Sequence, residues 1–139
     1  MASREQMDIL LSESLSTATA FLKKRREFYP FAVAVSSDGT IVHVSKHTEE
    51  EYPDAKALLE TLWESLVGAA GNGDYLALAV VSNVQLTDTK TGKKGDAVSV
   101  ELQHSGGDPT TCYLPYEFKG GELCTGTLVA QRSERRVFW

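Results

Sequence analysis

The order of hydrophobic patterns along the chain is the feature that most restricts its fold. Residues 3–29 carry apolar side chains at helical spacing, residues 31–44 alternate with a period of two, residues 53–73 return to helical spacing, and residues 75–131 alternate again. This order predicts an α+β fold of the form α-β-β-α-β-β-β-β. We expect an antiparallel sheet of about six strands with both helices packed on one of its faces.

The first helix and the hairpin after it have recognisable ends. Ser3 and Gln6 form a capping-box pattern, which predicts that the helix begins at Ser3. It should end by about Tyr29, because a proline follows and disfavours helical backbone in its predecessor. In the hairpin, Asp38-Gly39 suits a tight turn. The apolar stripe of the helix consists of Met7, Leu10, Leu11, Leu15, Ala18, Phe21 and Leu22.

The second helix is predicted to start with Pro53 in its first turn and to end at Gly71-Asn72-Gly73. Its broad apolar face should cover a sheet. The residues that we expect to be most buried there are Leu59, Leu62, Trp63 and Leu66.

The last half of the chain predicts four strands, at 75–86, 97–104, 110–118 and 123–131. In the second of these strands, the alternation points one set inward (Val98, Val100, Leu102) and the other outward (Ser99, Glu101, Gln103). Short turns between neighbours require antiparallel pairing. The chain contains no linker-like segment, which predicts one domain over residues 1–139.

Two resemblances add to this interpretation. The element order is similar to that of profilin-like and roadblock-like domains. Glu27-Phe28-Tyr29-Pro30-Phe31-Ala32 and Tyr113-Leu114-Pro115-Tyr116 resemble segments of a group of small bacterial proteins that have an EFYPFA sequence at the start of a strand. That resemblance implies a bacterial origin and no particular activity.

Composition excludes several classes of function. The 139 residues carry a net charge of −5, and a nucleic-acid partner would normally require a basic face. No apolar run is long enough to span a bilayer, and the N-terminal residues are polar, so neither a membrane segment nor a signal peptide is predicted. The two cysteines show no framework spacing, which favours free thiols and a cytoplasmic location.

No pattern of catalytic or metal-binding residues is evident. The three histidines and two cysteines lack the spacing of a zinc site or a nucleophile–base pair, so we expect no metal and no cofactor, and we disfavour an enzyme. One alternative is a small-ligand or haem-binding protein with a pocket between the sheet and the second helix. His43 and His104 are the candidate axial ligands in that case.

The aromatic C-terminus favours an interaction module. Phe138 and Trp139 follow Arg135 and Arg136, and large aromatic side chains with arginine are typical of protein interfaces. Tyr113 lies at an outward position of its strand and joins this set of candidate interaction residues. The tail either folds back onto its own sheet or docks on another chain. We therefore expect a non-enzymatic binding protein, such as an immunity-type protein, that forms a homodimer or binds another protein.

Overall fold

The computed structural model describes residues 2–44, 54–87 and 90–135 of the chain. These residues form an α+β fold, as the sequence predicts, with one strand more than expected. The elements are α1 (Ala2–Arg25), β1 (Phe31–Ser36), β2 (Ile41–Val44), α2 (Ala55–Gly71), β3 (Tyr75–Thr87), β4 (Lys94–His104), β5 (Gly107–Lys119), β6 (Glu122–Thr125) and β7 (Val129–Arg132).

The strands form a single sheet in the order β2-β1-β3-β4-β5-β6, and β7 also pairs with β5. Every pairing is antiparallel. β3, β4 and β5 are the long strands. They extend past the N-terminal end of β1, because the last pair between β1 and β3 is Phe31 with Val81 whereas β3 continues to Thr87.

The two helices lie on opposite faces of the sheet, so the prediction that both pack on one face is wrong. α1 packs against one parity of the strands, which includes Val33, Ala79 and Val100. α2 packs against the other parity, which includes Ala34 and Leu78. Successive side chains of a strand point to opposite faces, and β1 and β3 are apolar at both parities. A strand of that kind is covered on both sides.

α1 differs from its prediction at both ends. It begins at Ala2, so Ser3 lies inside the helix, and Gln6 contacts His104 instead of completing a capping box. It ends at Arg25, because Arg26 adopts left-handed backbone with φ 63° while its N–H still bonds the carbonyl of Leu22. Its fully buried apolar residues are Leu10, Ala18 and Leu22.

The β1–β2 hairpin has the predicted Asp-Gly turn. Gly39 takes φ 89°, a conformation that costs glycine little. The Asp38 carboxylate accepts hydrogen bonds from the Ser36 hydroxyl and from the Thr40 N–H. These hydrogen bonds lower the pKa of Asp38 to about 2, so the turn keeps a charged carboxylate at any ordinary pH.

α2 begins after Asp54, whose carboxylate caps the helix by accepting from the Lys56 N–H at 3.1 Å. Pro53, the predicted start, lies outside the described residues. Leu62 and Leu66 are buried as expected, each 1% exposed. Leu59 and Trp63 are only partly buried at the margin of the same cluster, so the prediction that they are among the most buried residues is wrong.

β6 and β7 replace the single last strand that the sequence predicts. Tyr116 pairs with Thr125 and Tyr113 pairs with Val129, so three residues of this edge, 126–128, stand opposite two residues of β5. One extra residue in an edge strand is a β-bulge. In the part of the chain that is described, neither helix is long and apolar enough to cross a membrane.

Candidate functional site

His104, at the end of β4, is buried in a polar cluster between α1 and the C-terminal segment. Its Nε2 donates to the Gln6 side-chain oxygen at 2.6 Å, and its Nδ1 accepts from the Gly106 N–H at 2.8 Å. The pKa of His104 is lowered, first by burial and then by the nearby Arg135 cation. The ring is therefore a neutral structural link that joins α1 to the β4–β5 turn.

His43 lies on β2, and its Nε2 is 2.8 Å from the Glu13 carboxylate of α1. It pairs with Val33, and His104 pairs with Ala77, which places both histidines on the α1 face of the sheet. Neither lies between the sheet and α2, where the haem hypothesis needs an axial ligand. Within the described ranges, no three His, Cys, Asp or Glu residues are grouped as a metal site would require.

The side chain of Arg135 is hydrogen-bonded to its own chain. Its Nη1 donates to the His104 carbonyl at 3.1 Å and its Nη2 donates to the Gly107 carbonyl at 2.7 Å. Nearby, the Gln103 amide donates to the Glu134 carbonyl at 3.0 Å. The start of the C-terminal segment thus crosses the β4–β5 turn. Arg136, Phe138 and Trp139 lie outside the described residues, and their docking stays a prediction.

Three polar side chains on the α2 face are buried: Ser99, Gln103 and Thr111, at 4%, 1% and 3% exposure. The sequence predicts Ser99 and Gln103 as outward residues, and for solvent exposure this is wrong. They do point away from the α1 core, but they are buried on the α2 face. Glu101, at the same parity, is partly buried. A polar residue at an alternate strand position shows which face of the sheet its side chain lies on, and it does not show that the side chain is exposed to solvent.

The far end of the same α2 face is apolar and exposed. α2 covers β1 and β3 only where they pair. Beyond it, this face carries Val84, Leu86, Pro115 and Val129, which we call the distal surface. Val129 is 52% exposed and Leu86 is 36% exposed. Leu128, next to Val129, is 41% exposed, so large aliphatic side chains concentrate at this end.

A concavity of about 380 Å³ opens in the distal surface. Leu86 and Pro115 form two of its walls, and Gly95, which pairs with Leu86, leaves the space between them empty. A Cβ atom built on Gly95 would contact nothing within 4 Å. Lys93, Lys94 and Asp96 also line the opening. The site is therefore an apolar depression with two cationic side chains and one carboxylate at its margin.

Tyr113, which the sequence singles out for interaction, is half-buried on β5 opposite Val129. Its hydroxyl accepts from the Gln131 amide at 3.4 Å. The sequence also places Pro115 at an outward parity, beside Tyr113. It misses Val129 and Leu86, because an apolar residue in an alternating strand is ordinarily assigned to a core. Val129 and Leu86 are exposed because α2 does not extend over the part of the sheet where they lie.

Cys112 has little chemical reactivity to offer. Both cysteines are free, and Cys112 is buried in the α1 core. Burial raises the pKa of the Cys112 thiol, so its protonated form prevails at neutral pH. A thiol nucleophile needs the thiolate.

Comparison of the chain with protein-family models, with curated proteins and with solved structures gives no match in any of the three.

Proposed function

We propose that this chain is a non-enzymatic protein-interaction module, and that its distal surface binds either a second copy of the chain or another protein. The observation that carries the proposal is the exposure of Leu86, Leu128 and Val129 at the end of the α2 face that neither helix covers. Contiguous exposed apolar side chains mark interaction sites, because leaving them in water is unfavourable.

Two features of the surface favour a protein partner. Tyr113 lies beside Val129, and aromatic side chains are enriched at the centre of interfaces. The concavity beside Gly95 has room for an apolar side chain of a partner. An immunity-type protein, which binds and blocks another protein, is one form of this function. The free cysteines are compatible with the cytoplasmic location that we propose with it.

The test compares Val129→Asp with the matched control Ile9→Asp. Ile9 is 51% exposed on α1, and Val129 is 52% exposed, so both changes place a carboxylate at an equally accessible aliphatic position. Sedimentation velocity measures self-association, and affinity capture with quantitative mass spectrometry measures binding to other proteins. We expect the wild type and Ile9→Asp to form the same dimer or complex, and Val129→Asp to lose it.

Identical behaviour of the three proteins in both assays would show that the distal surface binds nothing. Loss of the complex in Ile9→Asp alone would assign the interface to the outer side of α1 and would also contradict the proposal.

A further inference from the structure

In the described part of the chain, the outer edge of β3 is unpaired over its last six residues. β1 pairs with β3 only as far as Val81, while β4 pairs with β3 on its other side all the way to Thr87. Among the described residues, no strand pairs with the outer edge from Ser82 to Thr87. In an antiparallel strand, alternate residues direct their N–H and C=O groups to opposite sides. Half of these backbone groups therefore point away from the sheet.

This edge lacks two of the features by which sheet edges are usually protected, namely charged side chains and proline. Residues 82–87 (SNVQLT) contain no charged side chain and no proline. β2, at the end of the sheet, is only four residues long. The edge formed by β6 and β7 is interrupted by a bulge and carries Glu122 and Arg132. The open part of β3 is thus the uncharged edge that is best suited to pair with another strand.

The open edge is also held in place. The Tyr116 hydroxyl donates to the Asn83 side-chain oxygen at 2.6 Å, and the Asn83 amide donates to the Asp96 carboxylate at 3.4 Å. These bonds join β3, β4 and β5 on the α1 face. On the opposite face, Val84 and Leu86 project beside the concavity. A strand fixed in this way is a preorganised template, which lowers the entropic cost of binding.

We propose that the open edge of β3, Ser82–Thr87, binds an extended acidic segment of a partner protein as an additional strand of the sheet. This inference rests on the proposed interaction function and names its partner. The backbone groups of β3 would bind the segment, and an apolar side chain of the segment would pack against the exposed side chain of Leu86. Six residues of strand span about 20 Å.

The acidic character follows from the two ends of the open edge. Lys93 and Lys94 line the concavity at the Thr87 end, where they outnumber the one carboxylate that also lines it, Asp96. Lys56 lines a smaller cavity of about 230 Å³ at the Ser82 end, together with Asn83. Carboxylates at both ends of the segment would meet these cations, while lysines there would be repelled.

A second copy of the chain fits this edge less well than a single extended segment. β1 occupies the same edge directly beyond Val81, and Pro30 precedes it. Two antiparallel β3 strands would bring Lys93 and Lys94 of one copy to the Lys56 end of the other. Like charges would meet there, and the β3–β4 turn would meet the chain that leads into β1.

Hydrogen exchange tests the open edge without any ligand. In the free protein, backbone amides of residues 82–87 should alternate between fast exchange, where the N–H points outward, and slow exchange, where it bonds β4. Slow exchange at all six amides would show that the edge is covered and would overturn the proposal.

Peptide binding tests the occupant. The probe is an eight-residue peptide of alternating valine and threonine with glutamate at both ends, and its binding is measured by fluorescence anisotropy. Two further versions are N-methylated at alternate residues, one at the odd positions and the other at the even positions. We expect binding of the unmethylated peptide and of the one methylated version whose β3-facing amides stay free. Equal binding of both methylated versions, or binding of neither, would overturn strand addition.

Substitutions in the protein test whether the peptide binds at this edge. Leu86→Asp places a carboxylate where the apolar side chain of the acidic segment would pack and should weaken binding at least about tenfold. The control is Ile9→Asp, at an exposed aliphatic position of α1, and it should bind like the wild type. A peptide with lysine in place of glutamate should bind at least about tenfold more weakly.

Equal affinity of Leu86→Asp and the wild type, or of the two peptides, would overturn the proposal. A β3–β3 dimer that protects residues 82–87 would also overturn it, in favour of a second copy. Val129→Asp separates this inference from the proposed function, because Val129 lies on β7, away from the β3 edge. If Val129→Asp loses its natural complex and no peptide binds β3, the interaction function stands and strand addition falls.

Discussion

Lowering the pH below about 6.5 should destabilise this protein through one residue, His104. Its Nε2 proton is already donated to Gln6, so a second proton must go to Nδ1. There it would face the Gly106 N–H, which now donates to Nδ1 at 2.8 Å. Two donors would then oppose each other, close to the Arg135 cation. The folded state therefore resists protonation, and the pKa of His104 is lowered from its ordinary 6.5.

The sign and the size of the effect follow from linkage. Between the lowered pKa and 6.5, the unfolded chain binds a proton at this residue and the folded chain does not, so stability falls as pH falls. One proton changes the free energy of unfolding by at most about 1.4 kcal/mol per pH unit. From pH 6.5 to pH 5 the loss due to His104 is therefore at most about 2 kcal/mol.

The assay is urea unfolding at several pH values between about 5 and 7.5. His104→Gln removes the titrating group, so the drop in the free energy of unfolding over this range should be smaller in the variant than in the wild type. His43→Gln, which removes a histidine from the exposed contact with Glu13, is the control for the substitution of a histidine as such. If His104→Gln and the wild type lose the same stability on acidification, the reasoning about Nδ1 is wrong.

Three shorter predictions concern the core, the thiols and the tail. Leu62→Ala should cost about 2–5 kcal/mol in urea unfolding, whereas Val67→Ala, at a position 42% exposed on the same helix, should cost no more than about 0.5 kcal/mol; similar losses would contradict the placement of α2. Cys112 should react with a thiol reagent much more slowly than Cys124 in the folded protein, and both should react after unfolding without reductant, so a count below two would reveal a disulfide. Deletion of residues 137–139 should lower the thermal midpoint or dissociate an oligomer, and an unchanged midpoint and sedimentation coefficient would show that the tail anchors nothing.

Local patterns predicted the elements well. Alternation identified β1, and the Asp38-Gly39 pair identified its turn, because both depend on backbone geometry over a few residues. The spacing of Leu62 and Leu66 predicted the buried stripe of α2. Sequence reasoning failed at Ser99, which was assigned to solvent from its parity although it is only 4% exposed, because parity gives the face of a strand residue and not its burial.

The pairing register of two strands can be predicted by counting from the turn between them only as far as the pairing stays regular. Counting from the Gly120-Gly121 turn correctly opposes Cys124 to Glu117. The same count opposes Cys112 to Val129, whereas the structure pairs Cys112 with Ala130. The extra residue at 126–128 shifts every later pair by one. Gly126 is the local signal, since a Cβ atom there would lie 3.4 Å from the Pro115 side chain, but a glycine alone does not announce a bulge.

The candidate sites depend on contacts that are distant in sequence. Gln6 and His104 are 98 residues apart, and Arg135 reaches the same turn from the C-terminal segment. No periodicity predicts such a cluster. The distal surface likewise depends on where α2 stops along β3. A helix of 17 residues covers about 25 Å, and the sequence of the helix does not state which part of the sheet it covers.

Because the helices cover the sheet unevenly, the residues that stabilise the fold and the residues available for binding lie at different places. Substitutions at the two places can distinguish an effect on stability from an effect on binding. The α1 face holds the larger core, which includes Val98 and Val100 at 0% exposure, so a carboxylate there would be buried without a partner and would unfold the protein. Val129, at the far end of the other face, is 52% exposed, and its carboxylate would remain in water. We therefore expect Val129→Asp to change the free energy of unfolding by no more than about 0.5 kcal/mol while it abolishes binding at the distal surface. A loss of several kcal/mol in urea unfolding would mean that Val129 supports the fold, and its exposure would then no longer indicate an interface.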